Sequence, residues 1–461
     1  MENDDYAPKN MKAFFIIWIG QLISIIGSGL TGFGLSIWIY SQTGEATPFA
    51  LNALFFSLPR ILLSPAAGSI ADRYNRRRIM ILADTAAAST TLGAAILLFS
   101  GNLFVWHIYL ITFLSAVFSS FQEPAYLASM TMLVPKKDLA RAGGIQQMGG
   151  AAQSILIPIL AGMLYAAIGL RGVVLIDFAT FFFAIGALLL VHIPQPKRTT
   201  PVASEGQKDS MWRDAVFGWN YLRERPGLFG LLWYYAVVNF FLSLSGVLLG
   251  PLILSFGTEV ELGIARMAGG AAMLVGGLVV GGWGGPRRRR IWGVIAAIAL
   301  SSLGYLLAGL RASIYAIAAG EFVVLFFIPI SAALSQAVWQ TKVPPDIQGR
   351  VFSVRAMIAW SIVPTANLVA GPLADRVCEP LMAEGGALAD TFIASIIGTG
   401  TGRGIGLMFI TSAIFLLITS LIVFTSPRVR NLEEEIPDAI PDEPSQGESR
   451  TRSEALVSPS R

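Results

Sequence analysis

Twelve apolar runs, each about long enough to cross a lipid bilayer, succeed one another from Ala13 to Phe424, and they restrict this chain more than any other feature. A helix rises about 1.5 Å per residue, so a hydrocarbon core of about 30 Å takes roughly 20 residues. The runs are Ala13 to Tyr40, Ala46 to Ile70, Ile79 to Ser100, Phe104 to Val134, Ala142 to Leu170, Gly172 to Val191, Leu228 to Phe256, Met267 to Gly285, Ile291 to Leu310, Ser313 to Thr341, Ala356 to Leu373 and Gly404 to Phe424. Hydrophobic residues make up 54% of the chain and charged residues 13%, too little polar surface to cover a water-soluble globule of this size. In lipid every backbone polar group must be satisfied within its own segment, so the expected fold is an all-α polytopic membrane protein with twelve transmembrane helices.

The basic residues test that count independently. With the N-terminus on the cytoplasmic side, 27 of the 33 lysines and arginines fall in inner loops and tails, five in outer loops and one, Arg60, within a span. The short loops holding Arg73 to Arg78, Lys136 to Arg141, Arg287 to Arg290 and Lys342 to Arg355 then share one side, which an odd number of spans between them would break. This predicts a cytoplasmic N-terminus over 1–12, a helical bundle over 13–191, a cytoplasmic linker over 192–227, a second bundle over 228–425 and a disordered cytoplasmic tail over 426–461. In the linker, Trp212, Val216, Trp219 and Leu222 recur at helical spacing, as in an amphipathic helix lying at the membrane surface.

The two bundles echo each other at an offset of 209 residues. Val134, Pro135 and Arg141 match Val343, Pro344 and Arg350, and Gly68 matches Gly277. Six plus six helices is the parallel repeat expected of a two-bundle transporter. The loop between spans two and three reads Gly68-Ser-Ile-Ala-Asp72-Arg73-Tyr-Asn-Arg76-Arg77-Arg78. Its arginines suit the anionic inner leaflet, and an acid embedded among them can meet a helix N-terminus.

This loop resembles that of the major facilitator superfamily, G-x-x-x-D-R-x-x-R-R, at all five fixed positions: Gly68, Asp72, Arg73, Arg76 and Arg77. Further segments resemble the macrolide-efflux and siderophore-exporter branch, a group of drug:proton antiporters. They are Arg223-Glu-Arg-Pro-Gly-Leu, Leu334-Ser-Gln-Ala-Val-Trp, Gly371-Pro-Leu-Ala-Asp-Arg with Glu379-Pro-Leu-Met, and Gly402-Arg-Gly-Ile. The resemblance implies two six-helix bundles, a bacterial inner-membrane location, and proton-coupled efflux of a small amphipathic molecule by alternating access. It also implies that Asp72 works in an inner gate, with Arg350 and Arg355 at the start of span eleven as its partners. The arginine-bearing motif that many drug antiporters carry in helix four is absent between Phe104 and Val134, so coupling must use other residues.

Charges within spans are expensive unless paired or hydrated, which makes Arg60, Glu123 and Glu321 the coupling and cavity candidates. Arg60 and Glu123 sit at similar depth and are placed to meet. Helix ten lines the cavity in the resembling family, which implies a cavity-lining Glu321. Asp84 and Asp177, nearer the surfaces, read as structural. Gly27-x-Gly29-x-x-Gly32 matches a dinucleotide fingerprint but follows no strand, so it reads as small-residue helix packing. None of the seven lysines follows a glycine, which removes a P-loop. One cysteine and two histidines offer no disulfide and no familiar zinc spacing. The expectation is therefore a transporter with no cofactor, no metal, no nucleotide and no nucleic-acid partner, working on a small molecule with a proton or other ion gradient in membrane lipid. An importer of the same fold is the main alternative, and a lipid flippase or membrane-embedded enzyme a more distant one.

Overall fold

The computed structural model describes residues 11–135, 138–193, 207–286, 288–344 and 347–439, and among these no strand occurs. The first half contains α1 (Lys12–Thr43), α2 (Ala46–Arg73), α3 (Arg76–Phe99), α4 (Val105–Leu133) and the long α5 (Leu139–Leu190). A surface helix, α6 (Gln207–Arg223), leads to α7 (Pro226–Leu254), α8 (Glu259–Trp283), α9 (Arg290–Leu310), α10 (Ile314–Lys342) and α11 (Gln348–Leu373). A π-helical turn, Ala374–Cys378, and the short α12 (Glu379–Met382) and α13 (Phe392–Ile397) precede α14 (Arg403–Thr425). The short α15 (Pro427–Arg430) and α16 (Leu432–Glu435) follow.

Local chemistry accounts for the boundaries. Gly44, in the left-handed region at φ 67°, ends α1. The Asn75 side chain accepts the Arg78 N–H and opens α3. Thr258 and Glu261 form a reciprocal capping box that starts α8. Eleven helices among the described residues are long and apolar enough to cross a membrane. One of these stretches, Arg141–Leu190, is 50 residues long. It breaks at Gly169, whose φ of 64° and ψ of −178° turn the chain back, so α5 supplies the fifth and sixth spans and the total is twelve.

Helices α1 to α5 pack into one bundle and α7 to α14 into the other, and the bundles touch chiefly through α2 against α11 and α5 against α8. We call the membrane face carrying Arg76–Arg78 and Arg288–Arg290 the basic side and the opposite face the far side. Contact between the bundles is concentrated toward the far side. A Cβ on Gly263 would sit 2.6 Å from the Pro158 carbonyl oxygen and one on Gly270 2.7 Å from that of Ser154, so α5 and α8 touch backbone to backbone. Toward the basic side Gly143, Gly144, Gly277 and Gly281 face nothing within 4 Å among the described residues. The protein is thus closed on the far side and open on the basic side.

One expectation needs correction. Residues 427–439 are not disordered but docked: Leu432 is fully buried, Glu433 accepts the Ile291 N–H at 3.1 Å, and Lys342 donates to the carbonyls of Glu433 and Ile436. An acid at the start of α9 and a lysine at the end of α10 complement the helix dipoles there, which holds the segment. Residues 440–461 lie outside the described ones. The linker helix forms: Leu222 is fully buried and Gly218 packs against Arg350 and Val354 of α11, while Val216 and Trp219 are left uncovered by the rest of the protein. Docking on α11 thus sets its inward face. The side chain of Trp212 lies outside the described ones.

Candidate transport and gating site

Among the described residues, each bundle holds one ion pair between its second and fourth helices. In the first, Arg60 of α2 and Glu123 of α4 meet at 2.7 Å, with side chains 40% and 58% exposed. Arg60 lies 14 residues, or about four turns, after Ala46 at the far-side start of α2. The pair borders a cavity of about 240 Å³, together with Ser120, Pro124 and Leu127. The Arg60 guanidinium also rests 5.3 Å from the Phe56 ring centre, a second favourable place for its charge. The meeting expected of Arg60 and Glu123 occurs, but facing open space and not sealed among apolar side chains.

In the second bundle Glu321 is buried against Arg266 of α8 at 3.5 Å, and the other end of the guanidinium donates to the Gly246 carbonyl. A cavity-lining Glu321 was expected, yet the residue is only 9% exposed. Glu321 lies seven residues into α10, about 10 Å along it, nearer the far side than Glu123. Arg266 is the residue that hydropathy leaves out, because the apolar run begins only after it, at Met267. The signal was present in Thr258-Glu-Val-Glu261, whose capping box starts the helix two turns earlier and carries Arg266 into the membrane.

Asp84 and Asp177 join polar networks. Gln122 donates to Gln21 at 2.6 Å and Gln21 to Asp84 at 2.9 Å. Asp177, 4% exposed, accepts from Ser28 at 3.0 Å and Thr91 at 3.1 Å, tying α1, α3 and α5 together. Beside it Gly27 packs against Asp177 and Thr180, and Gly29 against Ile157, the close helix contact that small residues permit.

On the basic side Arg76 donates to the Ala128 carbonyl at 2.8 Å, and Arg77 to the Leu188 and Leu189 carbonyls at 2.7 and 3.0 Å. Arg77 staples the C-terminal turn of α5, where free carbonyls and the dipole attract cations, while Arg76 reaches α4 more than a turn before its end. Gly68, Asp72 and Arg73 lie in the last turns of α2, and their side chains are outside the described ones. Arg350 stacks 5.4 Å over Phe217 of the linker helix. Arg355 turns into its own bundle, donating to Gln336 at 2.9 Å with its guanidinium 5.0 Å over the buried Trp339. In this open-basic-side state Arg355 is thus engaged within the second bundle.

Comparison with known proteins places these features. Residues 17–366 match the family described as Major Facilitator Superfamily. Macrolide efflux protein A of Streptococcus pyogenes is 26% identical over 368 residues, covering 79% of this chain and 90% of the relative. Multidrug efflux pump Tap of Mycobacterium tuberculosis is 24% identical over 388 residues, covering 81% and 89%. The crystal structure of a bacterial homologue of the human lysosomal transporter Spinster, inward-facing and unoccupied, has a TM-score of 0.64 at 15% identity and covers 94% of this chain and 99% of that one. A peptide-bound transporter of the POT family has a TM-score of 0.67 at 13% identity, covering 92% and 99%. Twelve spans in two bundles, the loop motif and these matches lead to one conclusion: this chain belongs to the major facilitator superfamily and is a multi-pass transporter of a bacterial membrane.

Proposed function

We propose that the protein exports a small amphipathic molecule across the bacterial inner membrane by alternating access, with Glu123 as the proton-carrying group. The names of its relatives, macrolide and multidrug efflux proteins, support the direction and the substrate class. The basic side is read as cytoplasmic, since lysine and arginine collect there. The observation that carries the coupling assignment is the Arg60–Glu123 pair at the edge of an open cavity.

A coupling carboxylate must alternate between charged and neutral forms as its hydration and partners change. With the basic side open, Glu123 is half exposed beside the cavity and holds the Arg60 guanidinium at 2.7 Å, so the cavity gives a proton a path between the carboxylate and the basic side. In this reading the basic-side-open state is the one that releases the proton and takes substrate. Once the cavity turns outward and a proton arrives, Arg60 has the Phe56 ring as an alternative partner. Glu321, buried on Arg266, lacks this access and serves to join α8 to α10.

The test uses inverted vesicles with an imposed pH gradient and a macrolide as cargo. Glu123→Gln keeps the shape and removes the titration, so gradient-driven transport should fall at least tenfold while substrate binding persists. Glu321→Gln should retain the wild-type pH dependence. Wild-type pH dependence in Glu123→Gln would refute the assignment.

A further inference from the structure

The chain ends its two bundle-bridging helices with the same hexapeptide pattern. Gly68-Ser-Ile-Ala-Asp72-Arg73 finishes α2 on the basic side, and Gly371-Pro-Leu-Ala-Asp375-Arg376 finishes α11 and enters the π-helical turn on the far side. The two helices are antiparallel neighbours, so the patterns lie at opposite ends of one helix pair. At the far end the contact is visible. The Asp375 carboxylate crosses from the second bundle to the first and accepts the backbone N–H groups of Ala46 at 2.9 Å and Thr47 at 2.6 Å, the first two residues of α2. These donors have no partner within their own helix, and the dipole of α2 adds to the attraction for an anion.

Two further features adapt the site to this contact. A Cβ on Gly371 would clash with the backbone of Thr47, so glycine lets the helices approach closely enough for the carboxylate to reach. One turn beyond Asp375, Glu379 accepts the N–H groups of Gly402 at 3.0 Å and Ile405 at 2.9 Å. That second acid fixes the end of α11 to its own bundle at the start of α14, which leaves Asp375 as the arm that spans the gap. A cavity of about 430 Å³ borders Asp375 and Glu379, so water can take over the released hydrogen-bonding groups when the bundles part.

We propose that Asp375 is the far-side latch of the transport cycle: it caps α2 while the protein is open to the basic side, and it must let go before the far side opens. The matching pattern that ends in Asp72 sits where the same contact can be made with the start of α11 in the opposite state. Exchanging one charged helix cap for another of the same kind keeps the two states close in free energy, as a cycling transporter requires. Loss of Asp375 therefore tilts the balance toward the far-side-open state.

Spin-label distances between Asn102→Cys in the first bundle and Ala312→Cys in the second, in a Cys378→Ala background, report far-side opening. They need neither substrate nor gradient, so their outcome is separate from that of the export assay. Asp375→Asn halves the accepting groups and removes the charge. Ala46→Pro removes one donor without altering charge, at a first-turn helix position where proline is well tolerated. Each should raise the ratio of open to closed distances about tenfold, the scale of a lost charge-assisted hydrogen bond. Together they should raise it little further, because both break one contact. The latch is overturned if Asp375→Asn leaves the distances unchanged, if Ala46→Pro does so, or if the two effects add in full.

Discussion

At the scale of single residues, the two Arg–Glu pairs differ in what surrounds them, and that difference divides their roles. Arg266 and Glu321 have side chains 29% and 11% exposed, so each neutralises a charge that lipid and protein would otherwise expel. Glu321→Leu alone strands the guanidinium and should cost about 3 kcal/mol of stability, the usual scale for breaking one side of a buried pair. Adding Arg266→Met removes the stranded charge and should recover most of that loss. Thermal unfolding in detergent measures both variants, and a double variant no more stable than the single one would show that the pair is not a self-compensating unit. At Arg60 and Glu123, half exposed to the cavity, equivalent changes should alter coupling more than stability.

At the scale of helices, the contact between α5 and α8 decides how closely the bundles can shut. Gly263 and Gly270 hold their Cα atoms against the carbonyls of Pro158 and Ser154, and backbone cannot yield as a side-chain tip can. Gly263→Ala and Gly270→Ala should each reduce transport at least tenfold while leaving expression intact, since the far side can no longer close around α5. Gly277→Ala is the control, because nothing lies within 4 Å of the added methyl among the described residues. It should stay within about twofold of wild type. If it fails equally, altered helix propensity explains the series and the α5–α8 contact does not. The same scale positions α6: its periodicity predicts a helix, and the docking of Gly218 on α11 selects the face turned to the protein.

For the whole molecule, the proposed sidedness rests on where lysine and arginine collect, and it can be tested directly. With Cys378→Ala as background, a cysteine at the exposed Asn220 on α6 should react with a membrane-impermeant thiol reagent only from the cytoplasm. One at the exposed Ala312, between α9 and α10, should react only from outside. The reverse pattern would invert the topology and with it the reading of the state as open to the cytoplasm. The docked segment after α14 also belongs to this scale. Glu433 on the start of α9 and Lys342 at the end of α10 fasten the chain beneath the second bundle, so the helices near the basic opening are tied together.

The number of spans, their helical character and the motif at the end of α2 follow from the sequence alone, because hydropathy, capping residues and charge bias act over one helix length. Even the turn at Gly169 lies near the joint between the fifth and sixth runs. Which charges meet was a different matter. Arg60 and Glu123 could be paired by depth, since both lay inside recognised spans. Arg266 escaped because an acidic helix start looked like a loop, and its bond to Glu321 closes over 55 residues. The Asp375 contact with α2 spans 329 residues and depends on how two bundles lean together. Local periodicity carries no information about that lean. It is set by close packing across the whole interface, and only the tertiary structure brings an acid at the end of one helix onto the bare N–H groups at the start of another.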